Sequence, residues 1–335
     1  MLGRWTASDL IEVSRDPADL DRGGRWAVTV TFEGSATLAR FGSWQQRPPW
    51  PQQVGEWSGP GSDSWTSSLD KQAYLAAVEA VRSHISRGEV YQANICRVLR
   101  APLEPGSDIV ALHNRLVAGN PAPHAGALRL PEHDVHIASA SPELFLRREG
   151  QRVTSRPIKG TGVRPGDLTA KDEAENVMIV DLVRNDLGRI CRTGSVSVPA
   201  LLEVERHPGL VHLVSTVSGE LRPGTTWPDI LAATFPPGSV TGAPKLAALR
   251  VIEELEAGRR GPYCGAFGWV DADRGTAELA VAIRTFWRED STSGPSLALG
   301  TGAGITWGSD PEAEWRETQL KAARLLRVAG EGEVP

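Results

Sequence analysis

Arg156-Pro157-Ile158-Lys159-Gly160-Thr161, and after it Lys171-Asp172-Glu173-Ala174-Glu175-Asn176-Val177-Met178-Ile179-Val180-Asp181-Leu182-Val183-Arg184-Asn185-Asp186-Leu187-Gly188-Arg189, decide how the rest of the chain is read. A lysine set between a proline and a Gly-Thr turn has little backbone freedom, which suits an amine that must be aimed. Desolvating such an amine lowers its pKa and makes it a nucleophile. The second run has helical spacing. Glu175, Ile179, Leu182 and Asp186 recur at steps of four, three and four, so a carboxylate shares a stripe with core-forming residues. A solvated or capping lysine is the ordinary alternative for Lys159, and its company decides between the two.

At 335 residues the chain exceeds the roughly 250–300 at which a single core stops growing, so it holds two domains or one large unit. A hydrophobic content of 40% is enough for a real core, and a formal net charge of −5 argues against a nucleic-acid or anionic-membrane partner. Cys96, Cys191 and Cys264 lack metal-ligand spacing and are odd in number, which fits a reducing cytoplasm. Residues 1–20 are broken by Arg4, Asp9, Glu12 and Arg15, unlike a secretory signal. No stretch reaches the roughly 18 uncharged apolar residues of a membrane span. The expectation is a soluble, cytoplasmic protein.

Residues 1–70 predict a few strands, one over Trp26–Phe32, and a loop from Phe41 to Trp65. Asp70 caps a helix with Tyr74, Ala77, Val78, Val81 and Ile85 on its buried face, ending at Gly88. A strand from Glu89 to Leu99 carries Tyr91, Gln92 and Asn94 among apolar residues. A short helix over 107–118, a hairpin over 124–130 and 134–140, and a strand from Gln151 to Pro157 follow. Glu143 stands between a Ser-Pro turn and an apolar run. Further strands are expected at Ser195–Val198, His212–Val217, Cys264–Val270 and Ala277–Phe286. Ser239–Lys245 predicts a helix start, with Pro244 in its first turn and Leu246, Leu249, Ile252 and Leu255 on its inner face. Ser309, Pro311 and Glu312 predict the start of the last helix, on which Glu314, Glu317 and Lys321 share a face. Mixed strands and helices without repeats point to an α+β or α/β body.

The residue types allow chemistry. Glu175 with Glu314 and Glu317 fits either a site for a hard cation such as Mg²⁺, which takes oxygen ligands, or two solvated helix faces. Gly300-Thr301-Gly302-Ala303-Gly304 reads as a turn that cradles an anion or simply reverses the chain. It fails as a dinucleotide fingerprint because no helix follows directly. Arg284, an internal cation after an alternating strand, calls for a carboxylate from the protein or from a ligand. Tyr263 and His212 are single polar groups near strands.

From about residue 70 to 328 the chain resembles the chorismate-utilising enzymes, and most closely component I of aminodeoxychorismate synthases. Arg156–Thr161, Ala174–Arg189, His212–Thr216, Gly238–Lys245, Arg260–Gly268 and Gly302–Lys321 carry the resemblance, in order. It implies an α+β fold of the anthranilate synthase component I type, with two β-sheets forming a layered core surrounded by helices. The implied layout is an abbreviated N-terminal region (1–70), a catalytic body (71–328) and a tail (329–335). It also implies Mg²⁺ on Glu175, Glu314 and Glu317, with Tyr263, Arg284, Gly302, Ala303, Gly304, Thr241, Gly242, Lys321 and Gln92 around the substrate chorismate. Lys159 becomes the covalent nucleophile, Glu143 the general acid and His212 a group close to the ring.

Anthranilate synthases resemble the chain but carry a small residue at the Lys159 position. Isochorismate and salicylate synthases place a water-activating lysine where this chain has Gln92. The combination implies amination to 4-amino-4-deoxychorismate in the para-aminobenzoate and folate branch, with anthranilate synthesis, or an aminating relative in a secondary-metabolite pathway, as the alternative. The expected ammonia source is a separate glutamine amidotransferase subunit in a heterodimer, or ammonia from solution, and the abbreviated N-terminal region, in which the tryptophan-binding pattern of longer relatives is not found, implies no feedback inhibition by tryptophan. A non-catalytic protein holding nucleotide phosphates on Gly302–Gly304 is the rival from another class. The filled acid and lysine positions argue against it.

Overall fold

The computed structural model describes residues 2–46, 55–162, 164–207 and 210–330. Alternating and β-branched segments pair into two antiparallel sheets. The larger runs β1 (Trp5–Ser14), β3 (Ala36–Gln46), β2 (Arg25–Val30), β14 (Ala266–Asp271), β15 (Thr276–Val281), β8 (Leu144–Glu149), β9 (Arg152–Arg156), β12 (Leu210–Glu220) and β10 (Ile158–Gly162), with β11 (Ser197–His207) also paired to β12. The smaller runs β13 (Gly242–Ala243), β5 (Gln92–Pro102), β17 (Gly294–Ile305), β16 (Thr285–Ser291), β7 (Val135–Ser141) and β6 (His124–Leu130), with β4 (Thr66–Ser67) beside β5. The helices are α1 (Lys71–Ser86), α2 (Ile109–Gly119), α3 (Ala170–Gly188), α4 (Trp227–Thr234), α5 (Lys245–Leu255) and α6 (Pro311–Ala329).

One apolar cluster joins the sheets, taking Val28, Leu38, Phe267 and Leu279 from the larger and Val98, Ile137, Trp287 and Ala298 from the smaller. It continues into α3 through Ile179, Val180 and Val183 and into α4 through Trp227 and Ile230. Two further clusters seat α2 and α6, then α1 and α5, on the smaller sheet. Sheet-on-sheet packing with helices closing the flanks is therefore the α+β architecture expected. Among the described residues no helix is long and apolar enough to cross a membrane.

Most local readings hold to within a few residues. Asp70 caps α1 by accepting from Ala73 N, and Tyr74, Ala77, Val78 and Val81 are buried. Along α3, Ile179 and Asp186 are buried, and Thr169 with Asp172 forms a capping box at its start. β3 extends to Gln46 into the expected loop. Residues 47–54 of that loop, and 331–335 of the expected tail, lie outside the described residues. The short strand expected at Ser195–Val198 starts at Ser197 and runs to His207. α4 was not foreseen, because its 8 residues are too few to show a helical period.

Four readings are corrected. Gly300–Gly304 is not a turn but the interior of β17, paired with β5 from Val98 to Asn94. Its glycines serve close approach. A Cβ on Gly300 would lie 2.0 Å from Tyr263 Cγ, on Gly302 2.6 Å from Cys96 Sγ and on Gly304 2.2 Å from Gln92 Nε2. Ala277–Phe286 is two strands in different sheets, broken where Arg284 takes a φ of 51°. Ser239–Ala243 is not helical, since a 3₁₀ turn over Gly238–Val240 leads through β13 to α5, with Pro244 as N-cap. A stripe spaced by three drifts off a helix face, so Leu246 is exposed and Ala248, Val251 and Ile252 are buried. Finally, Asp310 rather than Ser309 caps α6, accepting from Ala313 N at 2.8 Å, while Ser309 Oγ accepts from Thr306 N at 3.0 Å.

The Gly300 contact yields a stability test. Gly300→Ala forces a methyl into the Tyr263 ring and is expected to lower unfolding stability by about 1–3 kcal/mol in urea titrations. An unchanged midpoint would show that the ring moves aside freely.

Candidate active site

Lys159 sits on β10 at a β-bulge. Ile158 pairs with Val214 and Thr161 with His212, so one extra residue is accommodated between them. Bulges re-aim side chains, and Gly160 makes this one possible with a φ of +81° and no room for a Cβ, which would meet the Asp172 side chain at 2.8 Å. Lys159 is thereby turned toward α3. Its Nζ lies 3.8 Å from Glu175 Oε2, and only 12% of the side chain is exposed.

Glu175 meets a second amine. Lys171 Nζ stands 3.7 Å from Glu175 Oε1 and 3.2 Å from Glu314 Oε1, so one ammonium joins α3 to α6. Three residues on, Glu317 accepts from Lys321 Nζ at 2.6 Å, and the same ammonium donates to the Gly302 carbonyl at 3.2 Å. Burial raises the Glu175 carboxyl above its usual range, Lys159 and Lys171 oppose the shift, and Glu314 and Glu317 add to it as like charges. For Glu317 burial also pushes upward, but Lys321, Lys171 and Lys159 outweigh it and hold the group low. Among the described residues no three acidic, histidine or cysteine side chains converge as a ready metal site. Glu175 and Glu314 nevertheless address one shared cation, Lys171, with hard oxygen donors. That donor chemistry suits a divalent ion.

Glu143, between β7 and β8, is 4% exposed. Its backbone N–H donates to Ser141 Oγ, which itself donates to the Val281 carbonyl at 2.6 Å. Burial pushes the Glu143 carboxyl up to about 7, against the Ser239 hydroxyl, nearby Lys159 and the Ile158 N–H. A carboxyl in that range can donate a proton near neutrality. The Ile158 contact places it one residue from Lys159.

The smaller sheet closes the circuit. Gln92 on β5 is fully buried, its Nε2 donates to Asn94 Oδ1, and its Oε1 lacks a partner. Asn94 Nδ2 donates to the Ser239 carbonyl at 3.1 Å. Thr241 and Gly242 lie beside this strand, with Thr241 O accepting from Asn94 N and Gly242 paired with Ala93. Tyr263 is buried against Gly300. His212 on β12 is buried and hydrogen-bonded through Nδ1 to Thr161 Oγ1 at 2.8 Å. Arg284 sits at the break between β15 and β16. Burial and the like charge of Arg324 lower its pKa, and among the described residues no carboxylate pairs with it. A half-buried guanidinium without an anion is a place for an anionic ligand.

The contacts thus join Lys159, Glu175, Glu314, Glu317, Lys321, the Gly302 edge, Gln92 and Glu143 into one connected region. For Arg284 the structure gives no contact to these residues. Two polar groups escaped the sequence reading. Lys171 was visible through its four-residue spacing to Glu175. Ser239 lay inside a string read as a helix start, and nothing in its spacing marked it. A cavity of about 1040 Å³ lies elsewhere, lined by residues including Trp5, Arg25, Arg147 and Trp269, and contains none of the site residues.

Residues 51–327 match the chorismate binding enzyme family. The anthranilate synthase component 1 of Thermus thermophilus is 40% identical over 292 residues, covering 84% of this chain and 61% of that protein. The aminodeoxychorismate synthase component 1 of Salmonella typhimurium is 39% identical over 277 residues, covering 79% and 59%. The chain therefore spans less than two thirds of either relative. The crystal structure of anthranilate synthase component I from Streptococcus pneumoniae superposes with a TM-score of 0.80 at 25% identity, over 97% of this chain and 92% of that one. With a connected lysine–carboxylate site on the same two-sheet fold, the chain belongs to the chorismate binding enzymes.

Proposed function

We propose that the protein is an aminodeoxychorismate synthase component I, converting chorismate and ammonia to 4-amino-4-deoxychorismate. The observation that carries this reading is Lys159, bulged out of β10 into the acid site rather than toward solvent. A lysine there has a use in amination through a covalent intermediate and none as a surface charge.

The chain's own groups divide the work. Arg284, lacking a carboxylate of its own, receives one carboxylate of the dianionic ring, with Tyr263 and the Gly302–Gly304 edge alongside. Lys321 and His212 flank the ring. Lys159, as the neutral amine, adds to a ring carbon while the ring hydroxyl departs, and Glu143 gives that hydroxyl its proton so that water leaves. Ammonia then adds at the carbon that lost the hydroxyl, and Lys159 is expelled as an amine. Glu175, Glu314 and Glu317 would hold Mg²⁺, with Lys171 giving up its place between the first two. The ion supplies charge neutralisation at the ring carboxylate. We assign the supply of ammonia to a separate glutamine amidotransferase subunit.

Anthranilate synthesis is the second reading, favoured by the names of several similar proteins, among them those of Thermus thermophilus and Streptomyces coelicolor. Product mass separates the two, because anthranilate has lost pyruvate and aminodeoxychorismate has not. With chorismate, Mg²⁺ and ammonium, a product retaining the enolpyruvyl group is expected. Anthranilate alone would overturn the assignment.

Lys159→Ala is expected to abolish both product and the chorismate adduct seen in intact-protein mass spectra, and unimpaired turnover would remove the covalent role. Because Glu143 must be protonated to act, the rate of chorismate loss should fall as pH rises through about 7. Glu143→Gln should lower that rate by about 10²–10⁴-fold and erase this limb. Chelation of divalent ions should stop turnover and added Mg²⁺ restore it; an enzyme indifferent to chelator would exclude the metal.

A further inference from the structure

Asp186 is buried and Lys245 nearly so, and both lie outside the chemistry assigned above. Lys245 Nζ donates to Asp186 Oδ2 at 2.7 Å and to the Thr234 carbonyl at 3.0 Å. Their side chains are 13% and 7% exposed. Thr234 ends α4 and Lys245 begins α5, so one ammonium ties both ends of the segment between them to α3. At the middle of that segment is Ser239, whose hydroxyl faces the Glu143 carboxyl across a small shared cavity. Asn94 and Arg260 hold the neighbouring backbone through the Ser239 and Val240 carbonyls. Glu143 and Asp186 border the same cavity of about 20 Å³, together with Thr234, Pro237 and Ser239. That is room for about one water.

A buried ion pair is a poor stabiliser, because desolvating both charges offsets their attraction and apolar replacements are often neutral. The geometry here has another consequence. Without the ammonium, the 234–245 segment loses its tie to α3 and keeps only the backbone anchors from Asn94 and Arg260.

We propose that the Lys245–Asp186 pair is a positioning device for the proton-donating carboxyl: by closing the 234–245 segment onto α3, it keeps the Ser239 hydroxyl on Glu143. The inference rests on Glu143 acting as proton donor. The groups that face Glu143 are Ser239, the Ile158 N–H, Lys159 from β10, and Asp186 across the cavity with Lys245 behind it. A hydroxyl facing the carboxyl favours its ionised form, so loss of the Ser239 hydroxyl raises the pH at which Glu143 gives up its proton.

The test is the pH profile of single-turnover chorismate loss, with each variant checked by circular dichroism and thermal unfolding. Ser239→Ala should move the basic limb upward by about half to one pH unit. Lys245→Met and Asp186→Asn should move it in the same direction, Lys245→Arg should return it, and Lys245→Met with Ser239→Ala should shift it no further than Ser239→Ala alone. A uniform rate loss with the limb in place, or additive shifts, overturns the proposal. If Lys245→Met does not fold, Asp186→Asn carries the comparison. Failure of both to fold makes the pair structural and equally overturns it. An inactive wild-type protein would instead refute the enzymatic reading, and a basic limb surviving in Glu143→Gln would refute the proton-donor assignment.

Discussion

The attraction between lysines and carboxylates across α3, α6 and β10 is the constraint on which the site depends. Glu175, Glu314 and Glu317 sit on two helices from distant parts of the chain, and like charges brought together out of water repel. Lys171 reaches from the first turn of α3 to Glu314, Lys159 reaches Glu175 from the sheet, and Lys321 answers Glu317 one turn away on α6. Burial pushes the Glu175 and Glu317 carboxyls up, and the lysines oppose that push at both. A site so poised is nearly balanced in charge before any ligand arrives.

Two backbone irregularities aim the groups that matter. The bulge at Lys159–Gly160 turns a sheet residue toward a helix, and the left-handed Arg284 marks where the chain leaves one sheet for the other. Both fall where regular geometry would have pointed the side chain elsewhere. Gly300, Gly302 and Gly304 make a related contribution, because without side chains they let Tyr263, Cys96 and Gln92 press against the strand.

Glu143 is governed by different physics. No charge partner dominates it, and burial raises its proton affinity, in contrast to Glu317, which lysines hold low against the same effect. Carboxyls of one type are thus given different proton affinities by surroundings alone. Ser239 and Glu143 border one small cavity, so the surroundings of this carboxyl include the segment between α4 and α5.

Much was legible from residues alone. The helical stripe through Glu175 and Asp186, the caps of α1 and the shared face of Glu314, Glu317 and Lys321 follow from local periodicity and hydrogen-bonding preference, which act within a few residues and need no tertiary context. The site residues were also named from the ordered strings Arg156–Thr161 through Gly302–Lys321. Local pattern failed where contacts distant in the chain set the backbone. Gly300–Gly304 looked like a turn because glycine allows one, and only pairing with β5 and the Tyr263 ring made it a strand. Ser309 looked like a cap until Asp310 took the role, and no spacing could show that Ser239 meets Glu143 or that Lys171 stands between two acids. Sequence determined which groups were available and which helix faces they shared, because these are properties of neighbouring residues. Tertiary structure alone decided which charges meet, because a pKa or an ion pair depends on distances that the chain's order does not contain.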